Sequence, residues 1–226
     1  MEKGFEPATL PFADRAAAGE ALARSLLRYA GRSDVTVLGL PRGGVPVAAA
    51  VAAALNAPLD VFTVRKVGVP GHRELAMGAL ASGGAQVLNH ELIAELDIPE
   101  VAVGRVIAEE ERELKRREQV FRAGREPLDI AGRIAILVDD GLATGSTMHA
   151  AVLAIRELGP SRVVVAVPVG SVEACGKLER VADEVTCVFI PRSFAAVGQW
   201  YFDFSETSDA EVTALLGASH TSRGKG

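Results

Sequence analysis

The sequence predicts an α/β fold, a mostly parallel open sheet flanked by helices. Three observations lead to it. Short apolar runs alternate with stretches of helical spacing from one end of the chain to the other, the pattern of strands joined by covering helices. Two of those runs end in small-residue turns, Arg42-Gly43-Gly44 and Thr144-Gly145-Ser146-Thr147, that open into a helix. Finally, 226 residues without a repeat or a low-complexity linker suit one domain. The reading assigns residues 1–217 to that domain and 218–226 to a disordered tail.

Taken in order, Ala13 to Arg28 reads as a helix, with Ala21, Leu22, Leu26 and Tyr29 at roughly helical spacing. Val35 to Leu40 is a short apolar strand. The glycine turn follows, then an alanine-rich helix ending near Asn56 and Pro58, then a second strand from Leu59 to Val64. Lys66 to Ala76 carries Gly68, Pro70 and Gly71 among polar His72, Arg73 and Glu74, and reads as an exposed loop. Ala79 to Ala81 and Gln86 to Leu88 flank Ser82-Gly83-Gly84, a hairpin turn.

From Pro99 to about Arg122 runs a long helix with an apolar stripe of Val103, Ile107, Leu114 and Phe121. Its Glu111/Lys115 and Glu113/Arg117 pairs are spaced to support each other on a solvated face. Ile134 to Val138 is a third strand, and Gly145 to Leu158 a helix closed by Gly159-Pro160. Arg162 to Val167 and Val185 to Ile190 add two strands around a helix from Val172 to Val181. Ser208-Asp209-Ala210-Glu211 is a capping-box signature for a last helix to Leu216, with a frayed end from Gly217.

Composition removes several classes of function. The longest apolar run, Val45 to Leu55, has 11 residues and contains Pro46, far short of the ~18 that a membrane-spanning helix needs. Met1 to Pro11 carries Glu2, Lys3 and Glu6 and lacks the pattern of a secretory leader, so a cytoplasmic protein is expected. Cys175 and Cys187, the only cysteines, form no C-x-x-C and suit reduced thiols in a core. A net charge of −5 argues against a general nucleic-acid binder while leaving room for a local basic pocket. No G-x-x-x-x-G-K-[ST] occurs, which removes a P-loop hydrolase.

The segment richest in chemistry is Ile136-Leu137-Val138-Asp139-Asp140-Gly141-Leu142-Ala143-Thr144-Gly145-Ser146-Thr147. An apolar strand delivers two adjacent carboxylates to its end, where ligands of open α/β sheets bind. The turn that follows offers backbone N–H groups and hydroxyls at a helix start, a favourable place for a phosphate. The carboxylates would repel that phosphate, so they must face a cation or hydroxyl groups. A sugar phosphate with Mg²⁺ satisfies both halves.

Val138 to Thr147 resembles the phosphoribosyl pyrophosphate (PRPP) signature of type I phosphoribosyltransferases, in a form similar to the adenine and uracil enzymes. The resemblance implies that Asp139 and Asp140 meet the ribose 2′- and 3′-hydroxyls, with any metal contact indirect, through those hydroxyls or water. It also implies that the 5′-phosphate is wrapped by Ala143 to Thr147, with Gly141 and Leu142 in the same loop. Enzymes for 6-oxopurines usually carry an Asp where this chain has Ala143, which counts against hypoxanthine or guanine.

Two further segments fit the same family. Gly39-Leu40-Pro41-Arg42-Gly43-Gly44 resembles its pyrophosphate loop, in which a non-proline cis peptide is common, here expected at Pro41-Arg42 or Arg42-Gly43. Arg42 would contact the pyrophosphate, with Gly43 and Gly44 allowing close approach. Val64-Arg65-Lys66-Val67-Gly68 is similar to the stretch that opens the mobile lid loop of adenine phosphoribosyltransferases. Arg65 and Lys66 are then catalytic candidates gathering with Arg42 on the pyrophosphate, and Glu74 is the candidate acid or base.

Near the end of the chain, Phe194, Trp200, Tyr201, Phe202 and Phe204 concentrate aromatic surface. The family binds its acceptor under a variable hood, which the resemblance places at about 190–217, where these rings are either a stacking wall for the base or a subdomain core or dimer contact. The pattern Phe194-x-x-Val197-Gly198-x-x-Tyr201-x-Asp203-Phe204 is similar to a bacterial branch of phosphoribosyltransferases without assigned acceptors. The resemblance implies a Mg²⁺-dependent transfer from PRPP to a nitrogenous base or similar heterocycle, by a homodimer that binds neither nucleic acid nor membrane. The alternative is a PRPP-sensing regulator that binds without turnover.

Overall fold

The computed structural model describes residues 10–221. Along them run the strands β1 (Val35–Gly39), β2 (Leu59–Val61), β3 (Val64–Val69), β4 (His72–Ala81), β5 (Ala85–Leu88), β6 (Ile134–Val138), β7 (Arg162–Val169) and β8 (Glu184–Phe189). The helices are α1 (Arg15–Ser25), α2 (Gly44–Leu55), α3 (His90–Glu95), α4 (Glu100–Arg122), α5 (Ser146–Arg156), α6 (Val172–Leu178) and α7 (Asp209–Thr221).

Five strands form one parallel sheet in the order β2-β1-β6-β7-β8. Successive side chains of a strand point to opposite faces, and here both faces are covered. Val37, Ile136 and Val164 pack under α1, α2 and α7 with Leu22, Val51 and Leu216. Leu38, Leu137 and Val165 pack under α5 and α6 with Val152, Ile155 and Leu178. Burial on both sides is why these strands read as unbroken apolar runs in the sequence. From β1 the chain moves outward to β2, and from β6 it moves the other way to β7 and β8. The order therefore reverses between β1 and β6, and the crevice beyond their carboxyl ends is where such sheets bind ligands.

The segment expected as a strand ending at Val64 and then an exposed lid loop is different in the structure. β2 stops at Val61, and Val64 opens a separate antiparallel sheet ordered β3-β4-β5. Pro70 and Gly71, read as loop markers, are the two central residues of the β3–β4 turn, and Gly71 has φ +80°. Proline followed by a positive-φ glycine is the type II turn pattern. Val67, Val69, Met77 and Leu80 bury one face of this sheet against Val103 and Leu114 of α4. The inserted unit is tied back to the main sheet at Asp60, which pairs with Arg122 (3.0 Å) and Arg125 (3.2 Å), all three largely buried. Arg125 also donates to the Leu216 carbonyl on α7 (2.6 Å).

Two boundaries at the chain's end also differ. α7 continues past Leu216 to Thr221, so residues 218–221 are helical rather than tail, and 222–226 lie outside the described residues. The Ser208 side chain caps it as expected, accepting from the Glu211 N–H (3.2 Å). Residues 190–217, expected as the hood, divide between two packing clusters. Phe194, Val197, Trp200 and Tyr201 join Phe12, Ala18 and Val169 in a cluster at the end of β7, whereas Val212 and Leu216 of α7 belong to the core under α2. Cys175 and Cys187 are free thiols, the first buried.

Candidate active site

The turn after β1 and the end of β6 meet at the reversal point. The Leu40 N–H donates to the Val138 carbonyl (2.9 Å), and the Pro41–Arg42 peptide is cis. Gly43 and Gly44 bring the start of α2 directly onto the carboxylates. A Cβ on Gly43 would overlap the Asp140 carboxylate, lying 2.8 Å from its Cγ, and one on Gly44 would lie 2.6 Å from the Val138 carbonyl and 2.8 Å from Asp139 Cα. The glycines thus make room for the protein's own aspartates.

Asp140 is held from three sides. Arg15, the first residue of α1, donates Nε–H to Asp140 Oδ2 at 2.9 Å, with both side chains largely buried. The Arg15 guanidinium lies 4.1 Å from the Phe204 ring centroid and donates to the Ser205 carbonyl (2.7 Å). The Tyr201 hydroxyl donates to the Asp140 carbonyl (2.6 Å), and the Asp140 N–H donates to Asp139 Oδ1 (2.9 Å). Burial, and then the neighbouring Asp140 charge, push the Asp139 carboxyl well above the ordinary carboxylate range. Burial also raises Asp140, and the Arg15 hydrogen bond pulls it back down. Burial, and then the charge of Asp140, push the Tyr201 hydroxyl up, so it remains a donor.

Beyond the aspartates the loop is clamped to the end of β7. The Leu142 N–H donates to the Val169 carbonyl (2.9 Å), the Ser171 N–H to the Leu142 carbonyl (2.9 Å) and Ser171 Oγ to the Ala143 carbonyl (2.8 Å). Gly145 is the N-cap of α5, and the Ser146 N–H reaches Thr144 Oγ1 at 3.3 Å. The first turn of a helix has no intrahelical partners for its N–H groups, so Thr144 to Thr147 present donors at the mouth of α5.

The three cations expected to gather are separated. Arg65 and Lys66 are consecutive on β3, and consecutive strand residues face opposite ways. Arg65 pairs with Glu110 of α4 (2.6 Å). Lys66 instead lines a cavity of about 690 Å³ that also contains Glu74, Thr144, Gly145 and Ser146. Arg42 pairs with Glu206 and lies 3.8 Å from Asp209. The structure therefore brings Lys66 and Glu74 to Thr144–Ser146, and Gly43 and Gly44 to Asp139 and Asp140. Arg65 stands outside both groups.

Sequence reasoning missed Arg15 and the role of Tyr201. Arg15 meets Asp140 across 125 positions of sequence, and no local pattern signals such a pairing. Tyr201 lay in the aromatic segment, and its ring is a buried part of the cluster rather than an open wall. Phe202 and Phe204 are the exposed rings of that group. Among the described residues, no group of three or more His, Cys, Asp or Glu side chains is placed to hold a metal ion.

Against known proteins, residues 12–203 match the family model described as "Phosphoribosyl transferase domain". The chain belongs to the phosphoribosyl transferase family. It is 47% identical over 209 residues to a "Putative phosphoribosyl transferase" of Mycobacterium tuberculosis, covering 92% of this chain and 47% of that protein. The chain thus spans about half the length of the curated relatives it matches first. It is 30% identical over 141 residues to the "Bifunctional protein PyrR" of a Roseiflexus species, covering 62% of this chain and 58% of the relative. The crystal structure of TT1426 from Thermus thermophilus is similar throughout, with 45% identity, a TM-score of 0.82 and coverage of 91% of this chain and 97% of that one. The type I architecture anticipated from the motifs is the architecture of the family, and the acceptor stays unassigned.

Proposed function

We propose that this chain transfers the phosphoribosyl group of PRPP to a nitrogenous base or similar heterocycle, releasing pyrophosphate. One observation carries the reading. At the single point where the sheet order reverses, a carboxylate pair and a glycine turn share one crevice, and the clamped Thr144–Thr147 loop continues it.

In this reading Asp139 and Asp140 accept hydrogen bonds from the ribose 2′- and 3′-hydroxyls. The N–H groups and hydroxyls of Thr144 to Thr147, following Gly141, Leu142 and Ala143, bind the 5′-phosphate. Arg42 turns from Glu206 and Asp209 to the pyrophosphate. The acceptor nitrogen's lone pair forms the new bond to C1 as the C1–O bond breaks, and the pyrophosphate leaves with that electron pair. Catalysis rests on orientation and on stabilising the leaving charge. Lys66 supplies positive charge at the phosphate loop; Glu74, the candidate acid or base of the sequence, lines the same cavity at the 5′-phosphate end, so the proton of the acceptor nitrogen leaves to pyrophosphate or solvent. Arg65 braces the β3–β4 hairpin against α4 through Glu110.

The donor set also bears on Mg²⁺. Oδ2 of Asp140 is taken by Arg15 and Oδ1 of Asp139 by a backbone N–H, too few free oxygens for a dedicated protein cage. They suit an ion held mainly by substrate oxygens and water, as Mg²⁺ commonly is. Bound there, it would neutralise pyrophosphate charge. A homodimer in the cytoplasm completes the reading, the dimer being supported by the family resemblance alone.

A screen of nucleobases and related heterocycles for PRPP-dependent pyrophosphate formation tests the proposal. Pyrophosphate release with at least one acceptor supports it. PRPP binding without consumption across the panel supports the sensor alternative instead.

A further inference from the structure

The cavity that holds Lys66 is far larger than one phosphate group needs, and its position is informative. At about 690 Å³ it touches Thr144, Gly145 and Ser146 but neither Asp139 nor Asp140. If the aspartates hold the ribose 2′- and 3′-hydroxyls, the cavity opens at the 5′-phosphate end of PRPP, away from C1. An acceptor seated in it could not attack C1, so this space serves neither reacting partner.

Its walls divide by chemistry. One is apolar, built by Ala76, Ala79 and Val87 of the antiparallel sheet and Leu153 of α5. Lys66 of β3, the imidazole of His149 on α5, Lys177 of α6 and Arg180 just beyond α6 also line it, and Glu74 is the acidic residue among the lining. Lys177 has a partner in Glu173 (2.7 Å). Among the described residues, no ion pair or side-chain hydrogen bond engages Lys66, His149 or Arg180. Unpaired cations around an apolar floor, in a chain whose net charge is −5, mark a site for an anion with an apolar body.

We propose that the cavity between β4–β5 and α5–α6 is a second ligand site. It takes a phosphate-bearing small molecule whose phosphate sits on Lys177, Arg180 and His149 and whose apolar body lies on Ala79, Val87 and Leu153. The proposal rests on the phosphoribosyl transfer reading only for the location of the 5′-phosphate. Because Lys66 borders both phosphates, the two ligands weaken each other by a bounded factor, and the coupling is reciprocal.

The probe is 1-naphthyl phosphate, followed by calorimetry on the full chain, with 1-naphthol and inorganic phosphate as controls. One molecule binds per chain, and each control binds at least about tenfold more weakly, since each supplies half of the recognition. Lys177→Ala with Arg180→Ala, both exposed positions, weakens the probe at least about tenfold while PRPP affinity stays unchanged. Asp139→Asn with Asp140→Asn does the reverse, so failure of this site and failure of the PRPP site are separable. Raising PRPP weakens the probe to a plateau. The proposal is overturned if the probe does not bind, if 1-naphthol binds equally well, or if the Lys177 and Arg180 changes leave its affinity untouched. Weakening that grows with PRPP without limit overturns it too, since the cavity would then be part of the PRPP site.

Discussion

Arg15→Ala removes the one cation among the described residues that pairs with Asp140. The bond is 2.9 Å long and its partners are only 12% and 15% exposed, so the carboxylate left behind is poorly reached by water and sits next to Asp139. Breaking a buried charge pair by removing one partner costs ~3–5 kcal/mol. Here the stranded carboxylate has a relief route, protonation, and residual exposure, which brings the expected loss to about 2–3 kcal/mol near neutral pH. For a chain of this size that is roughly 5–10 °C in melting temperature.

The pH dependence identifies the cause. Without Arg15, the Asp140 pKa in the folded state rises further above its unfolded value. Between the ordinary carboxylate value of ~4 and that raised value, the folded variant binds more protons than the unfolded chain, so its stability falls as pH rises. The deficit relative to the parent is thus full above that raised value, and shrinks as pH falls toward ~4. Urea denaturation at a series of pH values measures it. A variant within ~0.5 kcal/mol of the parent at neutral pH, or a deficit that grows on acidification, would refute the argument.

Three other changes probe separate links. Gly43→Ala places a methyl on the Asp140 carboxylate and should cost ~1–3 kcal/mol of stability together with most of the PRPP affinity, read by thermal melting and calorimetry. Glu206→Gln removes the closer of Arg42's two acidic partners, with Asp209 left at 3.8 Å, so pyrophosphate should bind about two- to fivefold more tightly, in line with the ~0.2–1 kcal/mol of an exposed pair; unchanged or weaker binding would remove Arg42 from the pyrophosphate site. Asp60→Ala strands Arg122 and Arg125 where the inserted unit joins β2, and urea unfolding should show a loss of about 3 kcal/mol with no pH-dependent PRPP effect.

The fold was legible where burial leaves a plain signature. β1, β6 and β7 are covered on both faces, so their apolar runs stand out, and Gly145, Asn56 and Ser208 mark helix ends by local backbone chemistry. The β3–β4 hairpin was harder because it buries a single face. Lys66, His72 and Glu74 share it with Val67, Val69 and Met77, and the Pro70-Gly71 turn looks like any loop. The alternation was present, but it was masked by polar outer positions and a bulge near Gly68. At the site, Asp139-Asp140 and the Thr144–Thr147 turn are contiguous and could be read directly. Arg15 and Tyr201 reach Asp140 only through the fold, and the opposite facing of Arg65 and Lys66 follows once that segment is known to be a strand.

The central claim is that Asp139, Asp140 and the loop after them form a PRPP site. Calorimetric titration of PRPP in the presence of Mg²⁺, into the parent chain and into the Asp139→Asn, Asp140→Asn double variant, tests it most directly. The parent should bind one PRPP per chain and the double variant none, with both chains folded by circular dichroism. Equal affinity in the two, or no binding to the parent, would contradict the account.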